Sequence, residues 1–156
     1  MKNPVHFLAL GFGSGLVPVM PGTFGSLAAV PLLLLAMNLS LPSFIAVTLI
    51  ASVVGIYLCG KTADDMQVHD HGSIVWDEIA GMFVTLLFLP ITASTLILGF
   101  LLFRIFDILK PWPIGIIDKR LHGGMGIMLD DILAGAMACA CLHICVTLYP
   151  AVLTLL

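Results

Sequence analysis

The chain has 156 residues, of which 60% are hydrophobic and only 10% charged, with a formal net charge of −3. A soluble domain usually carries about 25% charged residues, and a chain with a mean hydropathy of +1.16 could not cover its surface with polar groups, so lipid is the expected solvent for much of it. The six Lys and Arg are too few and too scattered for a nucleic-acid footprint, and the length suits one domain over 1–156.

The charged residues fall in three places: Lys2 alone, a cluster over 61–78, and a cluster over 104–131. Between them lie uncharged stretches at 3–60, 79–103 and 132–156. Lys2 is followed by Gly- and Pro-rich sequence, not by the apolar core and cleavage site of a secretory leader. The stretch 3–60 is too long for one span, because a bilayer core takes about 20 helical residues. It divides at Asn38-Leu39-Ser40-Leu41-Pro42, a turn-like break, into predicted helices near 24–37 and 43–60. The stretch 79–103 reads as one span containing Pro90, or as a hairpin turning at 90–94. The first arm, 77–89, is short for a span, but the hairpin places all three charged clusters on one side. The positive-inside rule makes that side cytoplasmic. A last span is expected over 131–149. The expected fold is therefore all-α: a polytopic membrane bundle of about five membrane helices, the first spanning or re-entrant, with the N-terminus inside and the C-terminus outside.

Two acidic pairs, Asp77-Glu78 and Asp130-Asp131, sit at predicted starts of apolar helices. Capping needs only one acid. Doubled acids beside lipid are costly and are usually functional. Four carboxylates converging on one spot repel unless a cation holds them, and oxygen-only ligands favour Mg²⁺ or a similar hard metal. Gly81 and Gly135 follow one turn later and suit close helix approach behind the acids.

Arg104 and Asp107 are i,i+3 neighbours, so a structural ion pair competes with a site role. Both are expensive in an apolar helix, and Lys110 follows near the helix end. An Asp on a metal beside two cations on a phosphate accounts for all three. Pro111-Trp112-Pro113 ends that helix and suits an interfacial anchor. The Gly11-Phe12-Gly13-Ser14-Gly15 run, followed by Pro21-Gly22-Thr23-Phe24-Gly25-Ser26, is no Walker loop and no dinucleotide fingerprint. It reads as an irregular interfacial segment, or as an anion cradle using backbone N–H groups with Thr23 and Ser26. Gly123-Gly124-Met125-Gly126 reads as a tight backbone turn beside Asp130-Asp131. In His69-Asp70-His71 a role is favoured for Asp70 over either histidine, and His6, His122 and His143 are read as ordinary. Cys59, Cys139, Cys141 and Cys145 lack metal-ligand spacing and are read as buried small hydrophobes.

Four segments taken in order resemble the phosphatidylglycerophosphatase A family. They are Gly13-Ser14-Gly15 through Ser26; Asp70 with Ile74-Val75-Trp76-Asp77-Glu78-Ile79-Ala80-Gly81; Phe103 through Pro113; and Gly123 through Asp131. The resemblance covers about 11–135. Met20 stands where the family often has Ala, and His71 where it often has Pro. The resemblance implies a bacterial inner-membrane enzyme that converts phosphatidylglycerophosphate to phosphatidylglycerol and phosphate with Mg²⁺; no protein partner is predicted.

Metal-assisted hydrolysis is the expected chemistry. Asp77, Glu78, Asp107, Asp130 and Asp131 are the candidate metal ligands, and Asp131, Asp130, Asp77 and Asp107 the candidate catalytic groups. Asp131 is the favoured base, with an aspartyl-phosphate route left open. Arg104, Lys110, Thr23 and Ser26 are the candidate phosphate-binding groups. The rival class is a small ion or proton carrier, whose carboxylates would lie at mid-membrane.

Overall fold

A computed structural model describes residues 3–68 and 71–151, and among them all regular structure is helical. Asn3 starts α1 (Pro4–Ala9): its side chain accepts from the Val5 N–H at 3.0 Å, with Pro4 in the first turn. The glycine run then forms a 3₁₀ segment, Gly11–Leu16, in which Gly11, Phe12 and Gly13 all take positive φ. The backbone here is kinked, with Phe12 and Gly13 outside helical geometry, as the reading of an irregular segment expects.

The helix expected near 24–37 is α2 (Pro21–Ala36), which begins at Pro21, where a missing N–H costs nothing. The break at Asn38–Pro42 holds, and α3 (Leu41–Met66) follows. It runs six residues beyond the expected end at Gly60, because Lys61, Asp64 and Asp65 sit on its last turns. A Lys61–Asp65 ion pair and a His6 Nε2–Asp65 Oδ2 contact of 2.9 Å satisfy that end and tie α1 to α3.

The stretch after Asp77 is a hairpin of helices, not one long helix. Helix α4 (Trp76–Thr85) ends earlier than expected, and α5 (Ala93–Leu109) starts within the predicted turn. Thr92 and Thr95 form a reciprocal capping box at the head of α5, and such a box fixes where a helix begins. The carbonyl of Leu87, released by the end of α4, accepts from Cys139 Sγ at 3.4 Å and His143 Nε2 at 3.1 Å. A short α6 (Ile114–Arg120) precedes α7 (Gly123–Leu148).

Helix α7 is the largest correction to the sequence reading. Its expected start was Asp131, but the glycine run is helical, so Asp130 and Asp131 lie two turns inside it. Only Gly123 uses a positive φ, +72°. Gly124 serves packing: a Cβ there would lie 1.9 Å from the Ile56 carbonyl oxygen of α3.

The core joins α2, α4, α5 and α7 around Leu33, Ile79, Met82, Phe103, Ala134 and Leu142. Helix α4 lies against α7, and α7 also meets α3 and α5. A Cβ on Gly135 would lie 2.4 Å from the Gly81 carbonyl oxygen, and one on Gly81 would lie 2.5 Å from the Phe103 ring. Both glycines therefore permit the close approach expected of them. Of the cysteines only Cys59 is buried; the other three are half-buried, and all four are free thiols.

Two helices, α3 and α7, are long and apolar enough to cross a membrane. Each has 26 residues, about 39 Å at 1.5 Å per residue. Only 22% of the apolar window of α3 is buried, with Leu49, Ile50, Val53 and Tyr57 turned outward. An apolar surface of that extent suits lipid contact.

Candidate active site

The hairpin of α4 and α5, closed by α7, brings residues from four remote stretches around one cavity of about 380 Å³. Its walls are residues 20–22 ahead of and opening α2, residues 72 and 74, the first turn of α4, the last turns of α5, and Asp130-Asp131. Five carboxylates and two cations face it: Asp77, Glu78, Asp107, Asp130, Asp131, Arg104 and Lys110. The acidic pairs and the Arg–Asp–Lys motif, separate in sequence, form one site.

Asp77 and Glu78 occupy the first turn of α4, where free N–H groups and the helix dipole favour negative charge. Both are buried, as are Asp130 and Asp131. Asp77, Glu78 and Asp131 each bring a carboxylate oxygen within 4.8 Å of the other two. Glu78 Oε2 and Asp131 Oδ2 are buried and lack a hydrogen-bond partner. Buried carboxylate oxygens without partners are costly, and close carboxylates repel unless a proton or cation lies between them. The donor set is oxygen only. The three residues therefore fit a hard divalent cation such as Mg²⁺.

Asp107 and Asp130, expected in the same ligand set, are engaged differently. Asp107 Oδ2 accepts from Arg104 Nη1 at 2.5 Å, in the i,i+3 geometry of a helix pair. Asp130 Oδ2 accepts from Lys110 Nζ at 2.7 Å, which leaves Oδ1 buried without a partner. Lys110 caps α5 in a left-handed conformation, φ 41°, and its ammonium also donates to Asp118 Oδ1 at 2.6 Å. Partial burial works against that charge, but the hydrogen bonds to Asp118 and Asp130 prevail and hold its pKa above the ordinary lysine value. An ammonium has three donors, so one stays available to the cavity.

The segment expected as an anion cradle contributes differently. Ser26 is fully buried and its hydroxyl donates to the Gly22 carbonyl at 2.9 Å. From this stretch Met20, Pro21 and Gly22 reach the cavity; Thr23 and Ser26 are not on its wall. A Cβ on Gly22 would lie 2.4 Å from Glu78 Oε1 and 3.1 Å from Arg104 Nη1. The glycine thus lets the backbone press against the charged groups. His71 is exposed and its Nδ1 accepts from the Ser73 N–H at 3.2 Å; His69 and Asp70 lie outside the described residues.

Two site residues escaped the sequence reading. Asp118 stands beside Lys119 and Arg120, and no sequence expectation attaches to it. Its only signal was an unassigned acid in the same cluster as Lys110. Gly22 was noticed within its motif, but a glycine gives no chemical sign that it forms a wall.

Among the described residues the chain is all-helical, two of its helices are long and apolar enough to cross a membrane, and one cavity brings buried carboxylates together with two cations. Residues 7–146 match the family model for phosphatidylglycerophosphatase A, and the chain belongs to that family. It is 52% identical over 144 residues to phosphatidylglycerophosphatase A of Escherichia coli, an alignment covering 92% of this chain and 84% of that protein. It is 50% identical over 140 residues to phosphatidylglycerophosphatase A of Haemophilus influenzae, covering 88% and 86% respectively. No solved structure matches the chain.

Proposed function

We propose that this chain is a phosphatidylglycerophosphatase, hydrolysing the terminal phosphate monoester of phosphatidylglycerophosphate to leave phosphatidylglycerol. Family membership and its relatives' names support the substrate. One observation supports the chemistry: three buried carboxylates meet within 4.8 Å on the wall of a cavity that also presents Arg104 and Lys110. A cation site beside a cationic wall is what a phosphate ester needs. A carrier of ions has no evident use for the two fixed cations.

Asp77, Glu78 and Asp131 are the residues that would hold Mg²⁺, with Asp107 and Asp130 beside them. When bound, the ion supplies charge neutralisation and a more acidic water. Arg104 and the third donor of Lys110 bind phosphate oxygens, which positions the ester for in-line attack. Asp107 orients Arg104, and Asp118 and Asp130 orient Lys110. Asp131 accepts the proton of the attacking water. Gly22 closes the wall beside Arg104 and Glu78 and limits free water around the phosphate.

In this reading the protein is one domain of about five membrane helices, with α2 spanning or re-entrant, in the bacterial cytoplasmic membrane. The cavity faces the cytoplasm. The lipid headgroup enters it while the acyl chains stay in the bilayer. The test is phosphate release by the purified protein in detergent, with and without Mg²⁺. Release that requires Mg²⁺ and fails in Asp131→Asn is expected. Release that ignores both metal and substitution would overturn the reading.

A further inference from the structure

The acidic cavity has charged walls but an apolar rim. Of the residues that line it, Met20, Gly72 and Ile108 are exposed. Met20 and Ile108 are the large ones, 58% and 61% exposed. Met20 takes a left-handed backbone, φ 52°, which costs energy in a residue other than glycine. Its carbonyl holds that turn by accepting from the N–H groups of Thr23 and Phe24 at 3.0 and 3.4 Å. Apolar exposure continues outward on both segments. Val19 precedes Met20, Leu109 lies between the lining residues Ile108 and Lys110, and Trp112 follows; all three are largely exposed. Apolar side chains gathered around one charged opening are a costly surface to leave in water and mark a contact with lipid or protein.

The packing of α3 against α7 gives the depth of that opening. Gly55 of α3 faces Trp76 and Met128, and Gly60 faces Gly124. The two helices therefore run antiparallel, and Gly55 is level with Trp76, next to Asp77, and with Met128, two residues before Asp130. Lys61, the first charge on α3, comes six residues after Gly55, about 9 Å along the axis. Around Gly55 the helix turns Val53, Val54 and Tyr57 outward. The acids thus sit within the apolar band of the bundle, not above it.

We propose that Met20 and Ile108, extended by Val19, Leu109 and Trp112, form a docking rim that seats the mouth of the cavity in the surface of an anionic bilayer; the proposal rests on the phosphatase reading above. The site is then fed from the membrane plane, where substrate reaches the mouth at a raised effective concentration. It selects phosphate monoesters borne by lipid over the same esters dissolved in water. Three observations select a lipid surface as the occupant. The rim is continuous with the cavity, since Met20 and Ile108 line it. The acids lie at the level where α3 presents apolar side chains outward. Lys119 and Arg120 are exposed on α6, directly after the Asp118 that holds Lys110, and form no ion pair among the described residues. Basic residues beside an apolar surface favour anionic headgroups. The rim meets the neighbouring lipids, while the substrate's own glycerol and phosphodiester pass through the opening.

Two measurements test the rim, both on the full-length protein in vesicles of phosphatidylglycerol and phosphatidylcholine with Mg²⁺. In the first, Val19→Cys and Leu109→Cys, in a background free of the native thiols, carry a fluorophore. Strong quenching by lipid bearing a nitroxide near its headgroup is expected, with little quenching by iodide present on both faces of the membrane. Quenching by iodide and not by the nitroxide lipid would place the rim in water. Shielding from both would bury it against protein. Either result overturns the proposal. The second measurement compares phosphatidylglycerophosphate with palmitoyl chains, in the vesicles, with its butyroyl form dissolved as monomers. Val19→Gln combined with Leu109→Gln, neither of which lines the cavity, is expected to lower kcat/KM for the membrane-borne lipid about tenfold, chiefly through KM, since docking strength scales with buried apolar area. The dissolved form should change less than about twofold. Equal losses would mark damage to the site, and no change in either would mark an idle rim; both overturn the proposal. Phosphate release from neither form by the unsubstituted protein would overturn the phosphatase reading and the selection with it, while the quenching would still locate the rim.

Discussion

Asp118 Oδ1 lies 2.6 Å from Lys110 Nζ, across the Pro111-Trp112-Pro113 break between α5 and α6. The contact aims an ammonium that would otherwise swing on four methylenes. Asp118→Ala is expected to lower kcat/KM roughly tenfold, since a hydrogen bond to a charged group is worth about 1.5–3 kcal/mol before solvent screening. Asp118→Glu should recover part of that loss. Steady-state phosphate release measures both.

The same contact has a pH consequence. Lys110 is held above its ordinary pKa by Asp118 and Asp130 against the opposing effect of burial, so its charge persists through neutral and mildly alkaline pH. No alkaline loss of activity from Lys110 is expected there in the unsubstituted protein. Removing Asp118 takes away a contribution that raises the pKa, so an alkaline limb should move to lower pH in Asp118→Ala. The kcat/KM profile above pH 7 checks the direction.

Gly22 presses its backbone against Glu78 and Arg104. A Cβ at 2.4 Å from Glu78 Oε1 must displace one of them. Gly22→Ala is expected to reduce activity about 100-fold, the usual cost of a 1 Å misplacement near chemistry. Helix content by circular dichroism should stay unchanged. A melted fold would instead locate the damage in packing.

Mg²⁺ should stabilise the protein as well as activate it. A ligand at 100 times its Kd adds about 2.7 kcal/mol to stability. Thermal unfolding in detergent is expected to shift upward with Mg²⁺, and the shift should shrink in Glu78→Gln and Asp131→Asn. Equal shifts in all three proteins would place the ion elsewhere.

Single cysteines at Ser40, Lys61 and Ala93, in a background free of the native thiols, report sidedness. The hairpin of α4 and α5 with five membrane helices predicts labelling of Ser40 and Ala93 from one face of the membrane and Lys61 from the other. Lys61 and Ala93 labelled from the same face would rule that topology out.

The helical class and the Asn38–Pro42 break were readable because both are written in composition and turn chemistry. The hairpin at Pro90 was inferred from charge placement, and the Thr92–Thr95 capping box is its local cause. The acids were recognised from their cost beside lipid. Their setting was not, because Gly123, Gly124 and Gly126 look like a loop until α3 is known to press against Gly124. Short α1 and α6 left no periodic signal. The partition of the five carboxylates into three that meet and two that hold cations depends on side-chain distances. No spacing in the sequence encodes it.

Helix α3 gives the acidic cavity no side chain, yet it touches α7 through bare backbone at Gly60 and Gly124, six residues before Asp130. The two longest helices thus form a splint that fixes the height of Asp130 and Asp131 along the bundle. In a thinner or thicker bilayer, mismatch is relieved by tilt. In the five-helix membrane reading, a splint of this kind tilts as one piece and carries Asp130 and Asp131 with it, so their height relative to α3 is kept independent of the lipid.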